Sequence, residues 1–139
     1  MVIGIDFDGT IVEDRYPEIG RERLFATETL RKLIEDGHRL ILWTVREGDL
    51  LDEAVKWCEE RGVVFYSVNK DYIEETAGSR HFSRKIKADV FIDDRNIGGI
   101  PDWGVIYELI SKRMTLEEYL MNGGEMVSKQ PHKKRWWQL

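Results

Sequence analysis

Residues 2–10 constrain this chain more than any other stretch, because they join a short apolar run to two carboxylates: Val-Ile-Gly-Ile-Asp-Phe-Asp-Gly-Thr. The apolar run predicts a buried strand. Side chains at positions i and i+2 of an extended segment point to the same side, so we expect Asp6 and Asp8 to converge on one spot. Carboxylates held that close repel each other unless a cation lies between them or one keeps its proton. Gly9 allows a sharp turn directly afterwards.

The remainder of the chain alternates between predicted helices and predicted strands. Helices are expected over residues 21–36 with Leu24 on the apolar face, from Asp49 to Gly62, after a cap at Asp102, and after a capping box of Thr115 and Glu118. Strands are expected over residues 40–44, 63–68 and 90–92, with a turn or small hairpin over 11–20. This alternation predicts an α/β fold, a Rossmann-like three-layer sandwich with a mainly parallel central sheet.

The size and composition of the chain point to a single globular domain. A length of 139 residues, 42% apolar and 34% charged, is enough for one buried core. We assign residues 1–124 to that domain and residues 125–139 to a tail. No apolar run approaches the roughly 20 residues that cross a bilayer, no signal peptide is recognisable, and Cys58 has no second cysteine to pair with. A cytoplasmic location without membrane contact is therefore expected.

The tail differs from the rest of the chain in charge and in aromatic content. The net charge is −5, and leaving out the four basic residues from Lys129 onward gives −9 for the rest of the chain. An acidic body disfavours a broad nucleic-acid surface. Basic residues beside Trp136 and Trp137 could hold a single strand by charge and stacking, but we expect this tail to pack on the body or on a neighbouring subunit of a homo-oligomer.

Polar side chains follow three of the predicted strands where each strand ends. Asp6 and Asp8 follow the first, Thr44 ends the second, and the pair Asp93 and Asp94 follows the last. The carboxyl ends of parallel strands share one edge of the sheet, where α/β proteins bind their ligands. Several carboxylates at one edge call for a hard cation, and Mg²⁺ suits few carboxylates with waters and a phosphate. Taken singly, each group has a plainer interpretation, such as an acidic turn.

In this order, the motifs resemble those of the haloacid-dehalogenase superfamily of phosphohydrolases. That family carries a D-x-D-G-T motif, a later Thr or Ser, a Lys and a late acidic pair, and the match here spans residues 2–94. Lys85 stands for the family lysine, with Ile86 where the family commonly has proline and with Lys87 as the alternative. The spaces between the motifs are too short for a cap domain, so the chain resembles the capless class.

The resemblance implies a role for each matching residue. Asp6 would be the nucleophile that forms an aspartyl phosphate, and Asp8 the acid and base for the leaving group and the water. Thr44 would bind the phosphoryl group, and Lys85 would balance its charge. The ligands of Mg²⁺ would be the Asp6 side chain, the Asp8 backbone carbonyl and the late acidic pair, with Asp93 direct and Asp94 through water.

Four further residues are predicted to contact the phosphorylated substrate: Gly9, Thr10, Arg46 and Arg95. The expected activity is that of a Mg²⁺-dependent phosphatase acting on a phosphate monoester. Two alternatives remain open. A polynucleotide end-phosphatase is also a capless type, and a non-catalytic receiver-like module also uses Asp, Thr, Lys and an acidic pair, although there the acidic pair comes first.

Overall fold

The computed structural model describes residues 1–70 and 86–125, which form two compact units divided between Ile100 and Pro101. The described residues of the first unit form six strands: β1 (Val2–Ile5), β2 (Val12–Arg15), β3 (Glu18–Glu22), β4 (Arg39–Leu42), β5 (Ser67–Val68) and β6 (Val90–Ile92). Its helices are α1 (Ala26–Glu35) and α2 (Gly48–Glu59). The second unit contains α3 (Trp103–Ser111) and α4 (Leu116–Met121). Lys85, His81 and the tail from residue 126 onward lie outside the described residues.

A parallel four-stranded sheet, in the order β5-β4-β1-β6, is the centre of the first unit. Helices flank it, so the predicted α/β class with a parallel central sheet is confirmed. The apolar side chains of β1 and β4 are buried without alternation, as expected for strands covered on both faces. These are Ile3, Ile5, Leu40, Ile41 and Leu42.

The order of the strands reverses at β1. From β1 the chain moves outward to β4 and then to β5, whereas β6 pairs with the opposite side of β1. Such a reversal opens a crevice beyond the carboxyl ends of the strands, where open α/β sheets bind ligands. The last residue of β1, Ile5, pairs with Leu42 and with Ile92, so the segments after all three strands begin side by side.

Strands β2 and β3 form an antiparallel hairpin directly after the acidic motif, which confirms the predicted hairpin. The hairpin is tied to the motif through its backbone, since Gly9 N donates to Val12 O and Arg23 N donates to Ile11 O. The predicted start of α1 at residue 21 is wrong, because β3 continues to Glu22. The Glu22 carboxylate instead accepts from the amide and hydroxyl of Thr27 in the first turn of the helix. Leu24 therefore precedes the helix and is 66% exposed.

The hydrogen bonds at the C-terminal end of α1 are those expected from the glycine that follows the helix. Gly37 has a φ of 92°, its amide donates to Ile34 O, and the His38 amide donates to Leu33 O. This pair of bonds is the Schellman arrangement that a C-terminal glycine favours.

The predicted strand over residues 63–68 is wrong in extent, because only Ser67 and Val68 pair with the sheet. The Val63 amide donates to Cys58 O and so completes the end of α2. Val64 is 63% exposed. The chain contacts the sheet at Tyr66, whose amide donates to Leu40 O of β4.

Both predicted caps of the second unit are confirmed. The Asp102 carboxylate accepts from the Val105 amide at 3.0 Å, and the Thr115 hydroxyl accepts from the Glu118 amide at 3.1 Å. Among the described residues, no helix combines the length and the apolar character that crossing a membrane requires.

Candidate functional site

Three carboxylates meet at the edge of the sheet where the strand order reverses. Asp6 follows β1 and its amide donates to Ile92 O at 3.0 Å, which aligns it with the start of the Asp93-Asp94 pair after β6. One carboxylate oxygen from each of Asp6, Asp93 and Asp94 lies within 4.8 Å of the others. The cluster could therefore hold a metal ion.

Burial and like charge both act on Asp6, which is only 5% exposed. Its pKa is raised from 3.8 to about 7, mainly by loss of hydration, next by the charge of Asp93 and, to a smaller extent, by the charge of Asp94. The backbone amide of Phe7 and the charge of Arg95 oppose this rise. A cation placed among the three carboxylates would favour the ionised form of Asp6.

Arg95 supplies positive charge at the exposed side of this cluster. The charge of Asp6 is the main cause that raises its pKa, followed by that of Asp93, and its Nε lies 3.5 Å from the Asp93 carboxylate. The Arg95 side chain is 62% exposed, so most of the guanidinium faces solvent and can meet an incoming anion.

Thr10 and Gly9 hold Asp94 in place. The buried Thr10 hydroxyl donates to Asp94 Oδ1 and accepts from the Asp94 amide, both at 3.0 Å. Gly9 has a φ of 86°, and a Cβ there would overlap the Asp94 carboxylate. The contacts that the structure gives these two residues are thus with a candidate metal ligand, whereas the sequence suggested contacts with substrate.

The Asp8 carboxylate turns away from the cluster and binds Arg46. Arg46 Nε donates to Asp8 Oδ2 and Arg46 Nη2 donates to Asp8 Oδ1, both at 2.7 Å. The rule that i and i+2 share a side does not hold here because the extended strand ends at Ile5. The amides of Thr10, Ile11 and Val12 all lie within hydrogen-bonding distance of Phe7 O, which makes the segment a tight turn.

Arg46 is fully buried. Its hydrogen-bond partners in the structure are groups of the protein, whereas we predicted a contact with the substrate. Each of its five guanidinium N–H groups has an acceptor among the described residues: both Asp8 oxygens and the backbone carbonyls of Pro17, Glu18 and Leu50. Its guanidinium carbon also lies 5.2 Å from the ring centroids of Phe7 and Tyr16. A guanidinium with these partners has no donor left for a substrate phosphate.

Thr44 lies two residues after the end of β4, the strand that pairs with β1. Its amide donates to Asn69 Oδ1 at 2.8 Å, and its hydroxyl accepts from the Arg46 amide at 3.2 Å. Asn69 is left-handed, with a φ of 54°, and its own amide donates to Leu42 O. Asn69 was not among the predicted site residues, although asparagine is a residue that tolerates this conformation. The predicted Lys85 lies outside the described residues.

A cleft of about 470 Å³ opens next to the cluster and beneath the hairpin. The residues that line it are Gly9, Glu13, Asp14, Glu22, Arg23, Leu24 and Asp94. Arg23 Nη1 donates to Gly9 O at 2.7 Å, which fixes the wall of the cleft to the acidic motif.

Among solved structures, a conserved protein from Bacteroides thetaiotaomicron is similar to this chain. The two are 64% identical, with a TM-score of 0.79, and the match covers 84% of this chain and 94% of the relative. This chain belongs to the same protein family. The Bacteroides relative is described as a conserved protein, so the relationship carries over the fold rather than an activity. No protein-family model matches the chain, and no curated protein matches it.

Proposed function

We propose that this chain is a Mg²⁺-dependent phosphatase of the haloacid-dehalogenase type, without a cap domain, that hydrolyses a phosphate monoester through an aspartyl phosphate. One observation carries the proposal: the carboxylates of Asp6, Asp93 and Asp94 converge at the edge where the strand order reverses. That is the place where an α/β sheet binds its ligand, and the motif order of the sequence agrees with it.

The three carboxylates suit Mg²⁺. This ion takes oxygen ligands at about 2.1 Å in an octahedron, so opposite ligands lie about 4.2 Å apart. Oxygens within 4.8 Å of one another need only small side-chain shifts to meet that requirement. When bound, Mg²⁺ would neutralise the carboxylates and polarise the phosphate oxygens.

Asp6 is the nucleophile in this proposal. An oxygen of its carboxylate bonds to phosphorus as the bond from phosphorus to the leaving oxygen breaks. Water then attacks the aspartyl phosphate, releasing inorganic phosphate and restoring the carboxylate. The hydrogen bond from the Asp6 amide to Ile92 O fixes the nucleophile relative to Asp93 and Asp94. Burial of Asp6 excludes water that would compete with its carboxylate for the phosphorus atom.

The remaining roles in this proposal fall to Asp8, Thr44, Arg95 and Lys85. Asp8 gives a proton to the leaving oxygen and later takes one from the water, and its carboxyl turns from Arg46 toward the substrate to do so. Thr44 donates its hydroxyl to the phosphoryl group, Arg95 adds a charged contact from the exposed side, and Lys85 supplies a second cation. Arg46 leaves the set of substrate contacts because its donors are already engaged.

The connection between Asp8 and Thr44 supports an open site. It contains the hairpin, α1 and β4 and no room for a further folded domain. The adjoining cleft of about 470 Å³ is large enough for the organic part of a small phosphate ester.

Hydrolysis of 4-nitrophenyl phosphate by the full chain tests the proposal. We expect turnover with Mg²⁺, loss of turnover with EDTA, and loss in Asp6→Asn, which keeps the shape of the side chain and removes the nucleophile. Asp52→Asn makes the same change at an exposed position of α2 and should stay active. Full activity of Asp6→Asn, or of the wild type in EDTA, would overturn the proposal.

A further inference from the structure

Arg23 lines the cleft beside the carboxylate cluster, and most of its guanidinium donors are not used by the protein. Its Nη1 donates to Gly9 O at 2.7 Å, which fixes the side chain against the acidic motif. Among the described residues, the guanidinium has no other hydrogen-bond partner and forms no ion pair. Because a guanidinium carries several N–H donors in a fixed fork, Arg23 can donate to a molecule in the cleft.

Carboxylate oxygens of the same cleft can accept hydrogen bonds. Asp14 uses one oxygen for the Tyr16 amide at 3.2 Å, and its other oxygen has no partner among the described residues. Glu22 uses one oxygen for Thr27, and its other oxygen lies 3.9 Å from Arg61 Nε, beyond hydrogen-bonding distance. Donors and acceptors therefore occur together on the wall of one cleft.

The mixed charge of this wall disfavours a charged group on the substrate beyond its phosphate. A carboxylate would meet Asp14 and Glu22, whereas an ammonium would meet Arg23. An aromatic base would find no ring to stack on, since Leu24 is the one large apolar side chain among the described residues of the lining. A hydroxyl group both donates and accepts, so it suits both kinds of wall group.

We propose that the substrate is the phosphate ester of a polyhydroxylated alcohol, such as an alditol or a sugar, and that Arg23 and Asp14 select it by binding its hydroxyl groups. Arg23 donates to hydroxyl oxygens, and Asp14 accepts a hydrogen bond from a hydroxyl. The inference rests on the proposed function, because it concerns the alcohol that departs from phosphorus. A cleft of about 470 Å³ lies within the usual range for small-molecule sites, roughly 300–1,000 Å³.

The test compares phosphate esters that share a four-carbon chain and differ in the groups on it. Erythritol 4-phosphate carries hydroxyls along the chain, butyl phosphate carries none, and 4-aminobutyl phosphate ends in an ammonium. With the wild type we expect the KM for erythritol 4-phosphate to be about 10- to 100-fold below that for the other two, because hydrogen bonds to charged wall groups are lost in each of them. An equal or lower KM for butyl phosphate, 4-aminobutyl phosphate or adenosine 5′-monophosphate would overturn the inference.

Arg23→Lys tests the donor side of the cleft. Lysine keeps the positive charge but replaces the guanidinium fork by a single ammonium. The KM for erythritol 4-phosphate should rise about 10-fold relative to the KM for butyl phosphate on the same variant. Arg39→Lys makes the same change at the exposed first residue of β4 and should keep the wild-type ratio. An unchanged KM ratio in Arg23→Lys, or a change confined to kcat, would contradict the inference.

Asp14→Ala tests the acceptor side, and it decides the matter if Arg23→Lys does not fold, because Asp14 is exposed on the hairpin. Loss of the acceptor should raise the same KM ratio by about 3- to 10-fold. Asp52→Ala, at an exposed position of α2, is the control and should leave the ratio unchanged. A ratio in Asp14→Ala equal to that of the wild type would count against the inference.

The two proposals fail in different ways. A wild type that hydrolyses neither 4-nitrophenyl phosphate nor erythritol 4-phosphate overturns the proposed function and this inference together. A wild type that hydrolyses 4-nitrophenyl phosphate but shows no preference for the hydroxylated chain overturns the inference alone.

Discussion

The hydroxyl of Thr10 bonds to both the backbone amide and the side-chain carboxylate of Asp94, across 84 residues of sequence. The hydroxyl accepts from the Asp94 amide and donates to the Asp94 carboxylate, both at 3.0 Å. A side chain at the end of the acidic motif thereby orients a member of the carboxylate cluster that arrives on another strand. Groups that orient metal ligands commonly affect affinity almost as strongly as the ligands do.

Thr10→Val should weaken Mg²⁺ binding by about 10- to 100-fold, because the isosteric side chain cannot bind either polar group of Asp94. The free energy of unfolding should also fall, by about 1–3 kcal/mol, since both groups lose a partner. Calorimetric titration with Mg²⁺ measures the first effect and urea unfolding the second. Thr10→Ser keeps the hydroxyl and should bind nearly as the wild type does; equal affinity in the valine variant would contradict the role of Thr10.

Stability of the metal-free protein should decrease as pH rises. Asp6 holds its proton more tightly in the native state, where its pKa is raised from 3.8 to about 7. Between those values the native state carries more protons than the unfolded chain, so the free energy of unfolding falls from about pH 4 to about pH 7 and then levels off. Added Mg²⁺ should offset the fall, because it favours the ionised form of Asp6.

Asp6→Asn checks that assignment, since it removes the ionisable group. In EDTA the variant should match the wild type near pH 4 and exceed it above pH 7 by up to about 4 kcal/mol, because one pKa unit corresponds to about 1.4 kcal/mol. Urea unfolding at several pH values measures the difference. Parallel curves for the two proteins would assign the pH dependence to other groups.

Asn69→Ala should lower kcat while leaving Mg²⁺ affinity unchanged. The Thr44 amide loses its acceptor, and alanine at a φ of 54° is strained, so we also expect a loss of about 1–3 kcal/mol in the free energy of unfolding. Steady-state kinetics and Mg²⁺ titration separate the two quantities. Asn69→Asp retains the acceptor oxygen and serves as the control; an unchanged kcat in Asn69→Ala would show that Thr44 needs no such support.

Arg95→Gln should weaken the binding of inorganic phosphate by about 10-fold, because it removes a charge-assisted contact. The measurement is the inhibition constant of phosphate against 4-nitrophenyl phosphate. Arg15→Gln removes a comparably exposed arginine whose carboxylate contact is 3.8 Å long, and should leave that constant unchanged. Equal constants for wild type and Arg95→Gln would place phosphate elsewhere.

Sequence patterns predicted the features that depend on neighbours along the chain. The ends of β1 and β6, the cap residues Asp102 and Thr115 and the glycine after α1 are local signals, and the structure contains each of them. The predicted end of β4 at Thr44 is wrong by two residues, because the strand ends at Leu42. The convergence of Asp6 with the late acidic pair could also be predicted, since it follows from parallel strands alone.

Features that depend on partners far away in the sequence could not be predicted from local sequence patterns. The start of α1 depends on how far the hairpin extends and on Glu22, whose carboxylate reaches forward to Thr27. The partner of Asp8 lies 38 residues away, and nothing in the sequence distinguishes an arginine that is buried at a carboxylate from one that awaits an anion. The burial of Arg46 decides which partners it has, and that burial depends on the complete fold rather than on the local sequence.

The contact between Gly9 and Asp94 has a consequence for anyone who redesigns this protein. A Cβ at position 9 would overlap that carboxylate, and the φ of 86° strains any residue other than glycine there whatever stands at position 94. A library that randomises the first motif should therefore keep this glycine, even where the late acidic pair is varied as well.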